Sequence, residues 1–344
     1  MNGARLVPVP EHVIIRKGIH MKFKLITGAV ACILAVFASV ALAEKWDMPL
    51  AYSATNYQSE NAAAFAAAVE EATDGKLKIV THPDGSLYKG GEIYAAVKSG
   101  QVPIGERLMS TLGNEHPIFE IDALPFLATS FEDAWKLQEA TAPILAEVLR
   151  ESGLVLLYTV PWPPQGLYTV KPVQSAADMK DVKFRAYNDS TVRLAELMGA
   201  VPQKLEVAEL FQAFATGATE SMISSASTGY DRKLWEHISY WYDLQAWLPK
   251  NMVIVNQDAW DSLDADTQAV VRKAAADAQA AGWGKVQELA AWYKEQLTAN
   301  GMEVHPPDDQ LRAELETIGQ VMTQEWLEKA GETGQAAIDA YEAM

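Results

Sequence analysis

Apolar residues return along this chain in two alternating rhythms. Short apolar runs are followed by longer stretches in which apolar positions recur every three to four residues, the pattern of strands leading into amphipathic helices. Trp46–Ser53 reads as a first strand, and the helix after Ser59 carries Ala62, Phe65, Ala66 and Val69 on one face and stops at Asp74-Gly75. Leu77–Thr81 predicts a strand closed by Pro83-Asp84-Gly85, and Ile93, Ala96 and Val97 a short helix ending at Gly100. After a strand at Pro103–Gly105, Ser130–Leu149 is helical with Leu137, Ile144, Leu145 and Val148 inward. Leu154–Val160 is an unbroken apolar run, as expected of a strand buried on both faces of a parallel sheet.

Pro161-Trp162-Pro163-Pro164 then interrupts the chain. Beyond it, Gly166–Val170, Val182–Ala186, Ala200–Leu205, Glu220–Ile223 and Met252–Val255 read as strands, with helices at 190–199 and Val207–Thr216. Asp264–Asn300 reads as one helix closed by Gly301, in spite of Gly282 and Gly284. At ~1.5 Å per residue it would span ~55 Å, longer than one lobe, so it is expected to brace two. Leu311, Leu315, Ile318, Met322 and Trp326 mark a last amphipathic helix. The class is α/β with mostly parallel sheets, in two lobes. The expected lobes are residues 44–165 plus 251–290, and 166–250 plus 291–344.

The first 43 residues follow a different logic. Met21-Lys22-Phe23-Lys24 is a basic start, Leu25 to Leu42 is apolar and small, and Ala41-Leu42-Ala43 fits a signal-cleavage site. This predicts export to the periplasm, cleavage near Ala43 and Met21 as initiator. Cys32, the only cysteine, would leave with the signal, and with it any disulfide, thiolate nucleophile or cysteine-ligated metal. The remainder holds 23 Lys/Arg against 44 Asp/Glu, a net charge of −21. That argues against nucleic acid as a partner. It also means that an anionic ligand must be held by a local cation in a dry pocket, where the effective dielectric is low.

One such cation stands out. Asp181 to Asn188 is a short strand ending in Arg185, followed by a polar turn and a helix that opens at Ser190. Ligands of α/β sheets bind beyond the carboxyl ends of strands, and a guanidinium there grips a carboxylate with two parallel hydrogen bonds, which lysine cannot do. Around it, Asn188 is a cap or a ligand donor. Asn56 and Tyr57 occupy the first strand-to-helix loop. Glu106 and Arg107 either neutralise each other or line the pocket, and Arg107 in the pocket would favour a diacid. Ser224, Ser225 and Thr228 offer hydroxyls or a helix cap, and Trp162 and Trp247 offer stacking surfaces. Trp135, Trp260, Trp283, Trp292 and Trp326 sit on helices at core-like spacing. No Gly-x-Ser-x-Gly, His-Glu-x-x-His, phosphate loop or dinucleotide fingerprint is present, so neither catalysis nor a cofactor or metal is expected.

Four segments in order resemble the substrate-binding proteins of tripartite ATP-independent periplasmic (TRAP) transporters. They are Phe65-x3-Val69-x2-Ala72-Thr73-Asp74-Gly75-Lys76-Leu77, then Leu124-Pro125-Phe126-Leu127, then Pro172-Val173 through Ala177–Arg185, and Ala208–Gly217. The resemblance implies a two-lobed periplasmic-binding-protein-like fold with a long bridging helix. It also implies a carboxylate clamp at Arg185 and delivery of a small organic anion to TRAP permease subunits in the membrane. Two departures bear on the ligand. A second arginine that many members carry is replaced by Gln165-Gly166-Leu167-Tyr168-Thr169, and Met222-Ile223-Ser224-Ser225 stands where many have polar residues. Both make the pocket less charged, and with Trp162, Tyr187, Tyr230 and Trp247 in or beside predicted loops they favour an apolar or aromatic monocarboxylate over a C4-dicarboxylate or sugar acid. A periplasmic hydrolase or lyase acting on an organic acid, or a sensor subunit, would fit the same cleft.

Overall fold

Strands and helices alternate along residues 43–344, the part of the chain that the computed structural model describes. Residues 1–42, nearly all of the expected signal segment, lie outside it. The elements begin β1 (Glu44–Pro49), α1 (Tyr57–Ala72), β2 (Leu77–His82), α2 (Ile93–Lys98), β3 (Ile104–Leu108), α3 (Phe131–Glu151) and β4 (Leu154–Pro161). They continue with β5 (Gln165–Thr169), β6 (Lys183–Ala186), α4 (Asp189–Leu197), β7 (Val201–Lys204), α5 (Leu210–Ala215), β8 (Ser221–Ser225) and α6 (Ala226–Asp231). The last are β9 (Tyr240–Tyr242), β10 (Lys250–Asn256), α7 (Gln257–Ser262), α8 (Ala265–Ala299), β11 (Glu303–His305) and α9 (Asp309–Glu342).

The fold is two-lobed α/β. One lobe holds the β1-β2 pair and a three-stranded sheet ordered β3-β10-β4; the other holds a six-stranded sheet ordered β11-β9-β5-β8-β6-β7. The sheets are mixed rather than mostly parallel. β10 runs antiparallel to β3 and β4, and β5 antiparallel to β8 and β9. Both strands are entered from the other lobe, not through a helix on their own sheet, so no right-handed βαβ crossover dictates their direction. β4 also departs from the expected buried parallel strand. It lies at the edge of its sheet, and Val155, Leu156 and Leu157 are only half-buried.

Trp162-Pro163-Pro164 joins β4 of the three-stranded sheet to β5 of the six-stranded one, Trp247-Leu248-Pro249 leads back into β10, and α8 runs from there toward β11. The Asp264 carboxylate caps α8 by accepting from the Thr267 backbone N–H at 2.7 Å. The helix packs on α1 and β4 in one lobe and on α6 and β11 in the other. Gly282 is what lets it approach β4: a Cβ there would lie 2.6 Å from Val160 Cγ2. α9 breaks at Gly331 (φ 57°, ψ −141°) and packs on both α3 and α4.

The six-stranded sheet covers a core that includes Leu167, Phe184, Leu194, Ile223 and Trp247. Each such side chain contributes ~1.5–3 kcal/mol on burial, which holds β6 and its last residues in place. Trp260, Trp283 and Trp326 are core residues as expected. Trp135 and Trp292 are instead 37% exposed, the first resting edge-on against Trp283 and the second against Tyr230 and Tyr293.

Candidate functional site

The end of β6 explains where Arg185 points. Side chains alternate along a strand. Phe184 is committed to the core, which turns Arg185 to the opposite face and into the cleft. The residue is 4% exposed. Its Nε donates to the Leu205 carbonyl at 3.0 Å, and the guanidinium lies 5.2 Å over the Tyr187 ring. Among the described residues its two terminal nitrogens make no hydrogen bond. Burial lowers its pKa to about 10, against the pull of Tyr187 and Glu206, so it stays charged at neutral pH.

Arg107 reaches the same cavity from β3, across the cleft. Its Nη2 sits 3.4 Å from Glu206 Oε1, in the segment after β7. Gly90 backs this pair: a Cβ at that position would lie 2.6 Å from Arg107 Nη1 and 3.0 Å from Glu206 Oε2. Glu106 and Arg107 therefore do not neutralise each other. They are neighbours on a strand and point to opposite faces. The Glu106 carboxylate accepts from Asn251 Nδ2 at 3.0 Å, and Asn251 Oδ1 accepts from Trp162 Nε1 at 2.8 Å. Burial pushes the Glu106 carboxyl up to about 7, opposed by the Asn251 bond.

Aromatic rings close the cavity. Tyr52 stands edge-on to Trp162 at 4.7 Å, and Tyr57 backs Trp162 from behind at 5.5 Å. Tyr187 is pinned by Trp247, whose Nε1 donates to the Tyr187 hydroxyl at 3.0 Å. Burial raises the Tyr52 and Tyr187 hydroxyls far above the ordinary range, so both are neutral donors. Gln165, Ser224, Ser225 and Thr228 complete the polar wall. Gln165 Nε2 is spent on the Pro163 carbonyl at 2.9 Å, which leaves its Oε1 as an acceptor. Ser225 caps α6, while the Ser224 hydroxyl has no bond among the described residues. The half-open cavity offers about 50 Å³ to water, room for a few waters at ~10–15 Å³ each.

Of the residues singled out by sequence, Arg185, Arg107, Trp162, Ser224, Ser225 and Thr228 converge on this cavity. Five stand off its wall. Asn188 caps α4, accepting from Thr191 N at 2.8 Å. Asn56 caps α1 and donates to Asp231 Oδ2 at 2.6 Å. Tyr57, Glu106 and Trp247 act through the groups that they hold: Trp162 and the Pro161 carbonyl, Asn251, and Tyr187. Tyr52, Gln165 and Glu206 were not singled out as site residues, since each belongs to a different segment with no local motif, while Tyr187 was noted only as a loop aromatic. A tyrosine two residues after an Arg at a strand end was the one available hint. Among the described residues no cluster of His, Cys, Asp and Glu is arranged to hold a metal ion, and no helix is long and apolar enough to cross a membrane.

Residues 50–330 match the family model of the bacterial extracellular solute-binding proteins, family 7 (DctP). The chain belongs to that family. Several relatives of this DctP-family protein have known structures. A marine-metagenome TRAP solute-binding protein, specific for pyroglutamate and solved with it, is 51% identical, with a TM-score of 0.86 over 88% of this chain and 99% of its own. DctP6 of Bordetella pertussis, an extracytoplasmic solute receptor binding pyroglutamic acid, is 47% identical, with a TM-score of 0.86 over 87% of this chain and 100% of its own. The C4-dicarboxylate-binding periplasmic protein DctP of Rhodobacter capsulatus is 26% identical, covering 82% of this chain and 86% of its own. The family is one of transport solute-binding proteins, extracytoplasmic, which capture small organic anions and work with membrane permease subunits; it is not a family of enzymes.

Proposed function

We propose that this protein captures pyroglutamate, or a cyclic monocarboxylate of its size, and delivers it to a TRAP permease. The observation that carries the reading is the charge inside the cavity. Arg185 and Arg107 bring two cations and Glu206 one anion, a surplus of one that a single carboxylate balances. A C4-dicarboxylate would leave an excess negative charge in a dry space, where it is costly. Arg107 is indeed in the wall, but Glu206 already sits on it. The identity to two pyroglutamate-binding structures, near half of all positions, points the same way.

In this reading the ligand carboxylate takes the free edge of Arg185 in two charge-assisted bonds. Gln165 and Ser224 serve the lactam, the former accepting from its N–H and the latter donating to its carbonyl. Trp162 and Tyr52 cover the ring, so the preference is for an apolar rim more than for an aromatic ligand. Tyr187 holds the guanidinium flat from beneath. The lobes, residues 44–165 plus 251–290 and 166–250 plus 291–344, close over the ligand by a population shift, and the permease reads the closed form. Export by the leader, with cleavage near Ala43, belongs to the same reading.

Isothermal titration with L-pyroglutamate, L-proline, succinate and D-glucuronate tests it. Pyroglutamate should bind, with proline and succinate weaker by about tenfold or more. Tighter binding of succinate or the sugar acid would instead identify a dicarboxylate or sugar-acid receptor. Recovery of a chemically altered ligand would identify an enzyme.

A further inference from the structure

We propose that Glu206 sets the charge valence of the cavity, admitting acids with one carboxylate and turning away those with two. The proposal rests on the reading of Arg185 as a carboxylate clamp and goes on to assign the second cation. Arg107 brings a guanidinium cation, and its side chain is 7% exposed. A cation so placed requires an anion. Two sources are open to it: a second carboxylate on the ligand, or a carboxylate of the protein. The protein supplies its own. Glu206 approaches Arg107 from the opposite lobe at 3.4 Å, and the missing side chain of Gly90 leaves room for both groups. The Glu206 backbone is held too, its N–H donating to Glu209 Oε2 at 2.8 Å. Glu106 does not alter this charge balance, because its carboxyl lies on the other face of β3, bonded to Asn251.

A diacid therefore meets one open cation and one already taken. It must displace Glu206 into water or leave its second carboxylate beside a like charge. A neutral amide at 206 would free Arg107 and reverse the preference, a case of specificity by repulsion. Glu206 is 48% exposed, so its removal should leave the fold intact.

The test compares two five-carbon acids, L-pyroglutamate with one carboxylate and glutarate with two, titrated calorimetrically into wild type, Glu206→Gln and Glu206→Asp at fixed ionic strength. In wild type pyroglutamate should bind the tighter. Glu206→Gln should shift the affinity ratio toward glutarate by about tenfold or more, and Glu206→Asp, which keeps the charge, should preserve it. An unchanged ratio in Glu206→Gln, or an equal shift in Glu206→Asp, would show that shape and not charge is at work and overturn the proposal. If wild type bound pyroglutamate normally in that case, the clamp reading would survive. If wild type bound neither acid, both would fall together.

Discussion

A buried guanidinium with a free edge is an unfinished interaction. Arg185 spends one nitrogen on the Leu205 carbonyl and presents the rest to the cavity. Arg185→Ala should weaken pyroglutamate binding by roughly two to four decades, since a desolvated carboxylate loses its partner (~3–5 kcal/mol). Arg185→Lys should recover only part of this, because an ammonium cannot match both oxygens. Calorimetry showing near-normal binding by the alanine variant would remove Arg185 from the site. Glu106 makes a second prediction, about stability. Its carboxyl titrates near 7 in the fold instead of near 4.5, because burial penalises the charged form. A raised folded pKa means that its stabilising contribution is complete below pH ~4.5 and is lost as pH rises through ~7. The gap corresponds to roughly 3 kcal/mol. Glu106→Gln keeps the acceptor for Asn251 and removes the titration, so its melting temperature should fall less than wild type's between pH 5 and 8. Parallel pH profiles would show that Glu106 does not titrate there.

At the scale of elements, α8 offers a comparison within one helix. Gly282 lies against Val160 of β4, where a methyl group would collide at 2.6 Å, whereas nothing comes within 4 Å of a Cβ at Gly284. Gly284→Ala should therefore stabilise the protein by ~1 kcal/mol through helix propensity alone. Gly282→Ala should destabilise it, as overpacking of ~1–3 kcal/mol outweighs the same gain. Chemical denaturation that moved both variants in one direction would contradict this packing. The helix itself was legible because its ends are chemically marked, by Asp264 at the start and Asn300-Gly301 at the stop. β9 and β11 were not, because three residues are too few to display an alternation. α6 was hidden for the opposite reason: Ser225 and Thr228 read equally well as a turn, and Ser225 proves to be its cap. Strand direction was also illegible, since β5 and β10 take theirs from lobe crossings that no local pattern encodes. At the site, Arg185 was readable from its place at a strand end. Tyr52, Gln165 and Glu206 became site residues only when three distant segments met.

For the whole molecule, the proposed closure is an equilibrium, and groups outside the cavity would hold part of it. Asn56, at the start of α1, donates to Asp231 at the end of α6, so the two lobes are tied at a point away from the ligand wall. The bond is buried enough to matter: desolvation raises the Asp231 carboxyl to about 6, with Asn56 opposing it. Its loss should therefore reduce the share of molecules that are closed, without altering any ligand contact. Apparent affinity scales with the fraction in the competent state. Asp231→Ala gives up one hydrogen bond to a charged group, ~1.5–3 kcal/mol in place but partly returned by hydration of the freed Asn56. Pyroglutamate affinity should fall about 3–10-fold, while the preference for pyroglutamate over glutarate stays as in wild type. The second half of that statement separates closure from recognition, because a change in the cavity would alter both numbers. Small-angle scattering should report the same shift as a larger mean radius of the unliganded variant, returning to the wild-type value when ligand saturates it. Equal affinities in wild type and Asp231→Ala would mean that this contact follows closure without holding it, and that the lobes are kept together by the ligand and the cavity wall alone.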